Sequence, residues 1–177
     1  MRLKARLMST DEPNADLTRP LMDAVTLFQT LGIDYALAGG LAAMYYGRAR
    51  FTEYMDFIAA GDHEAILAVN EKAMREAGFD PGCTWKLYHE TGVEIGVWKG
   101  PFTDGMVSRA REATLAGRRI MIVEVHDLIA MKLRAQRPQD DYDVSEVLKH
   151  TAVDDAAVRQ RVTDEQYDHY LGIKRRT

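Results

Sequence analysis

Leu21, Ala24, Val25, Phe28 and Leu31 recur at the three- and four-residue spacing of a helical face and predict a helix over about 17–31. Pro20 falls in its first turn, where proline is tolerated, and Gly32 supplies a stop. The pattern then tightens. "DYALAGG" predicts a short buried strand ending in glycines, and "LAAMYYG" a short helix that stops at Gly47. "FTEYMDFIAA" has the aromatic and β-branched content of a strand. Asp62 is placed to cap a helix over about 63–77, with Ile66, Val69, Ala73 and Ala77 facing inward. "GFDPG" predicts a turn, and "TWKLYHETGVEIGVWKG" a hairpin about Thr91-Gly92.

Further on, "PFTDGMVSRAREATLAG" carries no clear period and is expected as a loop, while "RRIMIVEV" predicts a strand. Helices are expected at about 126–136 and 140–149, with a weaker pair across 154–171. Strands interleaved with helices indicate an α/β (α+β) architecture, a mixed twisted sheet with packed helices. The expected organisation is a single domain: a loose tail at 1–15, a core at 16–125, and C-terminal helices at 126–177.

Composition narrows the chemistry. With 46% hydrophobic and 28% charged residues the 177-residue chain can build a full core. A net charge of -4 makes the whole molecule no magnet for nucleic acid, so such contact would need a local patch. The lone Cys83 cannot form an internal disulfide, and no apolar run approaches a membrane span. These features lead us to expect a cytoplasmic protein without membrane partners. The five histidines have no paired zinc spacing.

The candidate chemistry lies in "AGGLAAMYYGRARFTEYMDF". Gly39 and Gly40 leave bare backbone at the start of a helix, where a phosphate can approach free N–H groups and a positive helix end. Residues 54 and 56 share one face of the following strand, and paired carboxylates there would grip Mg²⁺. Asp56 fills one position; Tyr54 fills the other. Glu53 points to the opposite face unless a bulge re-aims it. Glu94, on a neighbouring strand, is the natural third acid. A neutral phenol is a poor Mg²⁺ ligand, so Tyr54 reads as a packing residue in a decayed site or as a stacking or hydrogen-bonding partner for a nucleotide.

The Gly-Gly, spacer and strand pattern resembles the signature of the nucleotidyltransferase superfamily with the DNA polymerase beta-like fold. Arg50 and Thr52 match an Arg-x-Thr that commonly precedes the strand in the branch containing AbiEii-type proteins. "VEVHDLIAMKLRAQRPQDDYDVSEVL" is similar to that branch's second block, with Lys132, Arg137, Asp140 and Asp143 on the matching positions. The resemblance spans about 20–150. It implies binding of a nucleoside triphosphate with Mg²⁺ or Mn²⁺, and transfer of a nucleotidyl group to a protein, RNA or small-molecule acceptor. Asp56 and Glu94 would be catalytic and metal-binding, while Gly39, Gly40, Arg50, Thr52, Tyr54 and Lys132 would bind nucleotide. The residues leave alternatives open: Arg50 as a surface ion pair, Lys132 as a stem passing the core, and Arg137, Asp140 and Asp143 as a salt-bridge cluster between helices. With Tyr54 in place of an acid, the other reading is a catalytically degenerate binding module, for example one component of a toxin–antitoxin pair.

Overall fold

A computed structural model describes residues 17–47, 52, 54–83 and 86–177, with residues 54 and 81–83 described by backbone alone. Helix α1 (Thr18–Leu31) ends at Gly32, whose φ of 66° lets its N–H turn back to the carbonyls of Phe28 and Gln29. Its apolar face buries Leu21, Ala24, Val25 and Phe28 as predicted, with Leu31 partly buried. Phe28 packs edge-on to Phe57 at 5.1 Å between ring centroids, and Tyr35 lies 5.4 Å away.

Strand β1 (Tyr35–Ala38) runs directly into α2 (Gly39–Tyr46), so the helix begins at the glycines themselves. Next come β2 (Tyr54–Ala59), α3 (His63–Val69), α4 (Glu71–Glu76), β3 (Phe79–Cys83), β4 (Lys86–His89) and β5 (Glu94–Trp98). The chain continues through α5 (Thr103–Ser108), β6 (Arg111–Leu115), β7 (Arg118–Ile122), α6 (Val125–Ala135) and α7 (Pro138–His150). It finishes with α8 (Asp155–Arg159) and α9 (Asp164–Arg176). The strands form one mixed sheet in the order β3-β4-β5-β2-β1-β7-β6. The β2–β5 and β1–β7 pairs are parallel and the rest antiparallel. This is the expected α/β architecture. No described helix is long and apolar enough to cross a membrane.

Five local expectations change, the first being Val69, which is 81% exposed beside the helix break instead of facing inward. The helix expected over 63–77 breaks at Asn70, whose side-chain amide donates to the Ile66 carbonyl at 2.7 Å and competes with the helical ladder. "FDPGC" is a strand, not a turn; proline lacks an N–H but is tolerated because β3 is a sheet edge. The loop expected over 101–117 holds α5 and β6, because β6 buries only Ala113 and Leu115 and its outward residues are polar. Helix α7 starts at Pro138, which gives up no needed N–H in a first turn.

Helix α2 packs on β1, β2, α6 and α7. Its end meets α7 so closely that a Cβ on Gly47 would stand 2.9 Å from the backbone at Glu146 and Val147. The Tyr46 hydroxyl donates to the Val123 carbonyl at 2.9 Å, tying the same end to the exit of β7. The glycine-led start of α2 is thus held from its far end.

Candidate functional site

Register builds the site. Ala38 pairs with Asp56 across β1–β2, and Asp56 with Gly96 across β2–β5. Position 54 pairs with Glu94. Aligned residues of adjacent strands project to the same side, so Glu94, Gly96 and Trp98 stand on the Asp56 face while Met55, Phe57, Ile95 and Val97 are buried on the other. Lys86 and Tyr88, opposite Gly96 and Glu94 on β4, complete this open face.

At its centre is the close approach of Asp56 to the start of α2. Gly39 has φ +59°, and a Cβ built on it would lie 2.1 Å from Asp56 Oδ2. A side chain is therefore excluded twice, by conformation and by the carboxylate. No side chain caps α2, so its first N–H groups and partial positive charge face this region. Asp56 Oδ1 accepts the indole N–H of Trp98 at 3.0 Å.

Glu94 shares the face but is engaged differently: its Oε1 lies 2.7 Å from Lys86 Nζ. Thr52 precedes β2 and is half-buried. Arg50, Glu53, the 1–15 tail and the Tyr54 side chain lie outside the described residues.

The second matched block forms a separate cluster. Lys132 is 4% exposed, and its Nζ donates to Asp140 Oδ1 at 2.9 Å and Asp143 Oδ2 at 2.6 Å. Arg137 donates to Asp140 through both its backbone N–H and its guanidinium. Burial pushes the Asp140 carboxyl up, but hydrogen bonds from Arg137 and Lys132 outweigh it and hold the group below its ordinary value. These four residues clamp α6 to the start of α7, the salt-bridge arrangement considered from the sequence.

A further network of ion pairs and hydrogen bonds is centred on the buried acids Asp127 and Glu124. Arg109 reaches Asp127 with two hydrogen bonds of 2.9 Å, and Arg161 Nε adds a third at 3.0 Å. Glu124 accepts the His126 backbone N–H and holds its ring nitrogen Nδ1 at 2.6 Å. These residues join α5, α6 and the turn after α8. The two Asp127 pairs lie 18 and 34 residues apart in the chain, so no local spacing announces them. Trp98 was legible in principle, since period-two alternation from Glu94 puts it on the site face.

Mg²⁺ usually keeps several waters and is bound through one or two carboxylates plus substrate phosphates. Asp56, with Oδ2 turned to the start of α2, fits one such cation arriving with a triphosphate. Among the described residues no group of three or more His, Cys, Asp or Glu could hold a metal by itself. With a tyrosine at position 54, the residues fit a one-cation arrangement and not the two-cation one.

With this geometry in place, the solved structures most informative for the chain are nucleotidyltransferases. The lincosamide antibiotic adenylyltransferase LnuA, bound to lincomycin, superposes with a TM-score of 0.56 over 76% of this chain and 98% of its own, at 15% identity. An antigenic nucleotidyltransferase-like protein from Paracoccidioides brasiliensis gives 0.55 over 87% and 85%, at 18% identity. ANT(2'')-Ia in complex with adenylyl-2''-tobramycin gives 0.50 over 90% and 98%, at 12% identity. The fold is that of the nucleotidyltransferases. Neither a protein-family model nor a curated protein sequence matches the chain.

Proposed function

We propose that this nucleotidyltransferase-fold protein binds a nucleoside triphosphate together with one divalent cation and transfers the nucleotidyl group to an acceptor hydroxyl. One observation carries the reading: Asp56 Oδ2 and the side-chain-free start of α2 meet at a distance that leaves no room for a Cβ. Within this fold, that arrangement offers one anionic oxygen for a cation and bare N–H groups for the phosphates. Gly39 and Gly40 receive the triphosphate, with Thr52 and Arg50 as further nucleotide-binding residues. Tyr54, at the head of β2, contributes a ring to nucleotide contact. Glu94 lies one step along the neighbouring strand as the second acid.

In the reaction the acceptor oxygen forms a bond to the α-phosphorus while the bond to the bridging oxygen breaks. Pyrophosphate leaves with the electron pair, and the acceptor's proton passes to solvent. Mg²⁺ or Mn²⁺ bound with the triphosphate supplies charge neutralisation during this transfer. The acceptor is a protein, an RNA or a small molecule. The small-molecule class is favoured by likeness to LnuA and ANT(2'')-Ia, whose bound molecules are lincomycin and adenylyl-2''-tobramycin. Lys132 belongs to this reading as a support: it fixes α6 and α7, against which α2 leans.

A second reading has its own observation. Lys86 neutralises Glu94 at 2.7 Å, which with Tyr54 leaves Asp56 as the one acid of this trio without a basic partner among the described residues. On that basis the protein is a degenerate binding module that retains the phosphate-binding turn, for example in a toxin–antitoxin pair in the cytoplasm.

The two separate in one assay. Protein is incubated with α-labelled nucleotides, Mg²⁺ or Mn²⁺, and in turn cell lysate, RNA, lincomycin and tobramycin. Transfer of label that Asp56→Ala abolishes supports the enzyme. Nucleotide binding by calorimetry without any transfer supports the module, and absence of both rejects each.

A further inference from the structure

Asp56 has a neighbour that nucleotide binding alone does not require. The Trp98 indole donates from Nε1 to Asp56 Oδ1 at 3.0 Å, although the residue is 46% exposed and contributes little to the core. The intervening Gly96 makes this contact possible. A Cβ there would stand 2.6 Å from Trp98 Nε1 and 3.2 Å from Asp56 Oδ1, so any side chain would push the indole from its place. On the other side, Asp56 Oδ2 abuts Gly39. The carboxylate is therefore seated between two glycines, each of which makes room for one of its contacts.

We propose that Trp98 is a positioning residue for the cation site, holding Asp56 Oδ1 as a hydrogen-bond acceptor so that Oδ2 alone is presented at the start of α2. The proposal rests on the cation-dependent nucleotide binding described above. Its physical reason is the missing acid on β2. Where two carboxylates of one strand share an ion, each restrains the other; here a tyrosine stands in one acid's place and Glu94 is held by Lys86, and the indole N–H restrains Asp56 from the neighbouring strand. Hydrogen-bond partners of a ligand fix its orientation in this way, and their loss weakens metal binding by roughly 10–100-fold. Gly96 is part of the same device, because it clears the path of the indole.

Trp85→Phe leaves Trp98 as the sole tryptophan of the chain. This protein is titrated with Mn²⁺ in the presence of a non-hydrolysable nucleoside triphosphate, reading indole fluorescence and, separately, bound Mn²⁺ by electron paramagnetic resonance. We expect Mn²⁺ to quench Trp98 emission, and Asp56→Asn to abolish both signals. Adding Trp98→Phe should weaken Mn²⁺ binding about tenfold with the circular dichroism unchanged. Gly96→Ala should do the same with the indole still present, and Trp98→Gln, which restores a donor, should recover part of the affinity. Asp56-dependent Mn²⁺ binding that is unaltered by Trp98→Phe and by Gly96→Ala overturns the proposal while leaving the cation site intact. If the parent protein binds no Mn²⁺ with nucleotide, the cation site itself is rejected and the role of Trp98 with it.

Discussion

Two acidic regions stand out in this protein, and the structure treats them in opposite ways. Around Lys132, two carboxylates, an ammonium and a guanidinium lie within hydrogen-bond distance, and the first three are almost fully buried. Asp56 stands on an open sheet face that Glu94 shares, its own contacts an indole N–H and the bare backbone of a helix start. Buried charges must be paired to survive desolvation, and the Lys132 cluster has committed its groups to one another. Asp56 retains an oxygen turned toward a positive helix end. The same residue type is thus clamped in one place and, in the other, left on the open face where the proposed cation site lies.

The largest test of this contrast is Lys132→Met. It removes the ammonium from which both Asp140 and Asp143 accept, takes the cation out of a buried ion pair and should cost about 3–5 kcal/mol, measured by urea denaturation. Asp140→Asn addresses the same clamp through pH. Because the Asp140 pKa is lowered in the folded state, its contribution is present above the unfolded value of about 3.9 and is lost as pH falls through the folded one. The wild type should therefore lose stability faster than Asp140→Asn on acidification below about pH 4. If Lys132→Met retains full stability, the clamp reading fails and Lys132 returns to the nucleotide.

Next in size is Gly39→Ala. It forces a side chain into a left-handed backbone and against Asp56 Oδ2, a strain of about 1–3 kcal/mol. Nucleotide binding should be lost in calorimetry even where thermal melting shows the protein folded. Tyr46→Phe removes one hydrogen bond that anchors the far end of α2 and should cost about 1 kcal/mol in the same denaturation assay. The smallest effect is at the partly exposed Lys86–Glu94 pair. Lys86→Met releases Glu94 from a pair worth about 1 kcal/mol, so Mn²⁺ affinity should rise by roughly fivefold. No change would place Glu94 outside the cation's reach.

The α/β architecture, the strand bearing Asp56 and the glycine-led helix are all legible in the chain because each is written in local pattern: helical spacing in α1, aromatic and β-branched content in β2, and paired glycines between them. The stops at Gly32 and Gly47 and the Asp62 cap, which accepts the Ala65 N–H, follow from the same local rules. What failed locally were weak patterns. Asn70 cut a continuous period, and β6 hid in a polar stretch because an edge strand buries few side chains.

Short-range dihedral and burial preferences place a glycine-led helix at 39 and 40 and an acid at 56 on the strand that follows, and the family resemblance implies that the two meet. The sequence by itself also determined that the neighbouring acid position on the strand would hold a tyrosine. The partners come from the packing: Trp98 on Asp56, Lys86 on Glu94, and Asp140 and Asp143 on Lys132. The first two partners come from adjacent strands and the last two from adjacent helices. Their distances depend on register and helix crossing, and no spacing along the chain encodes those quantities.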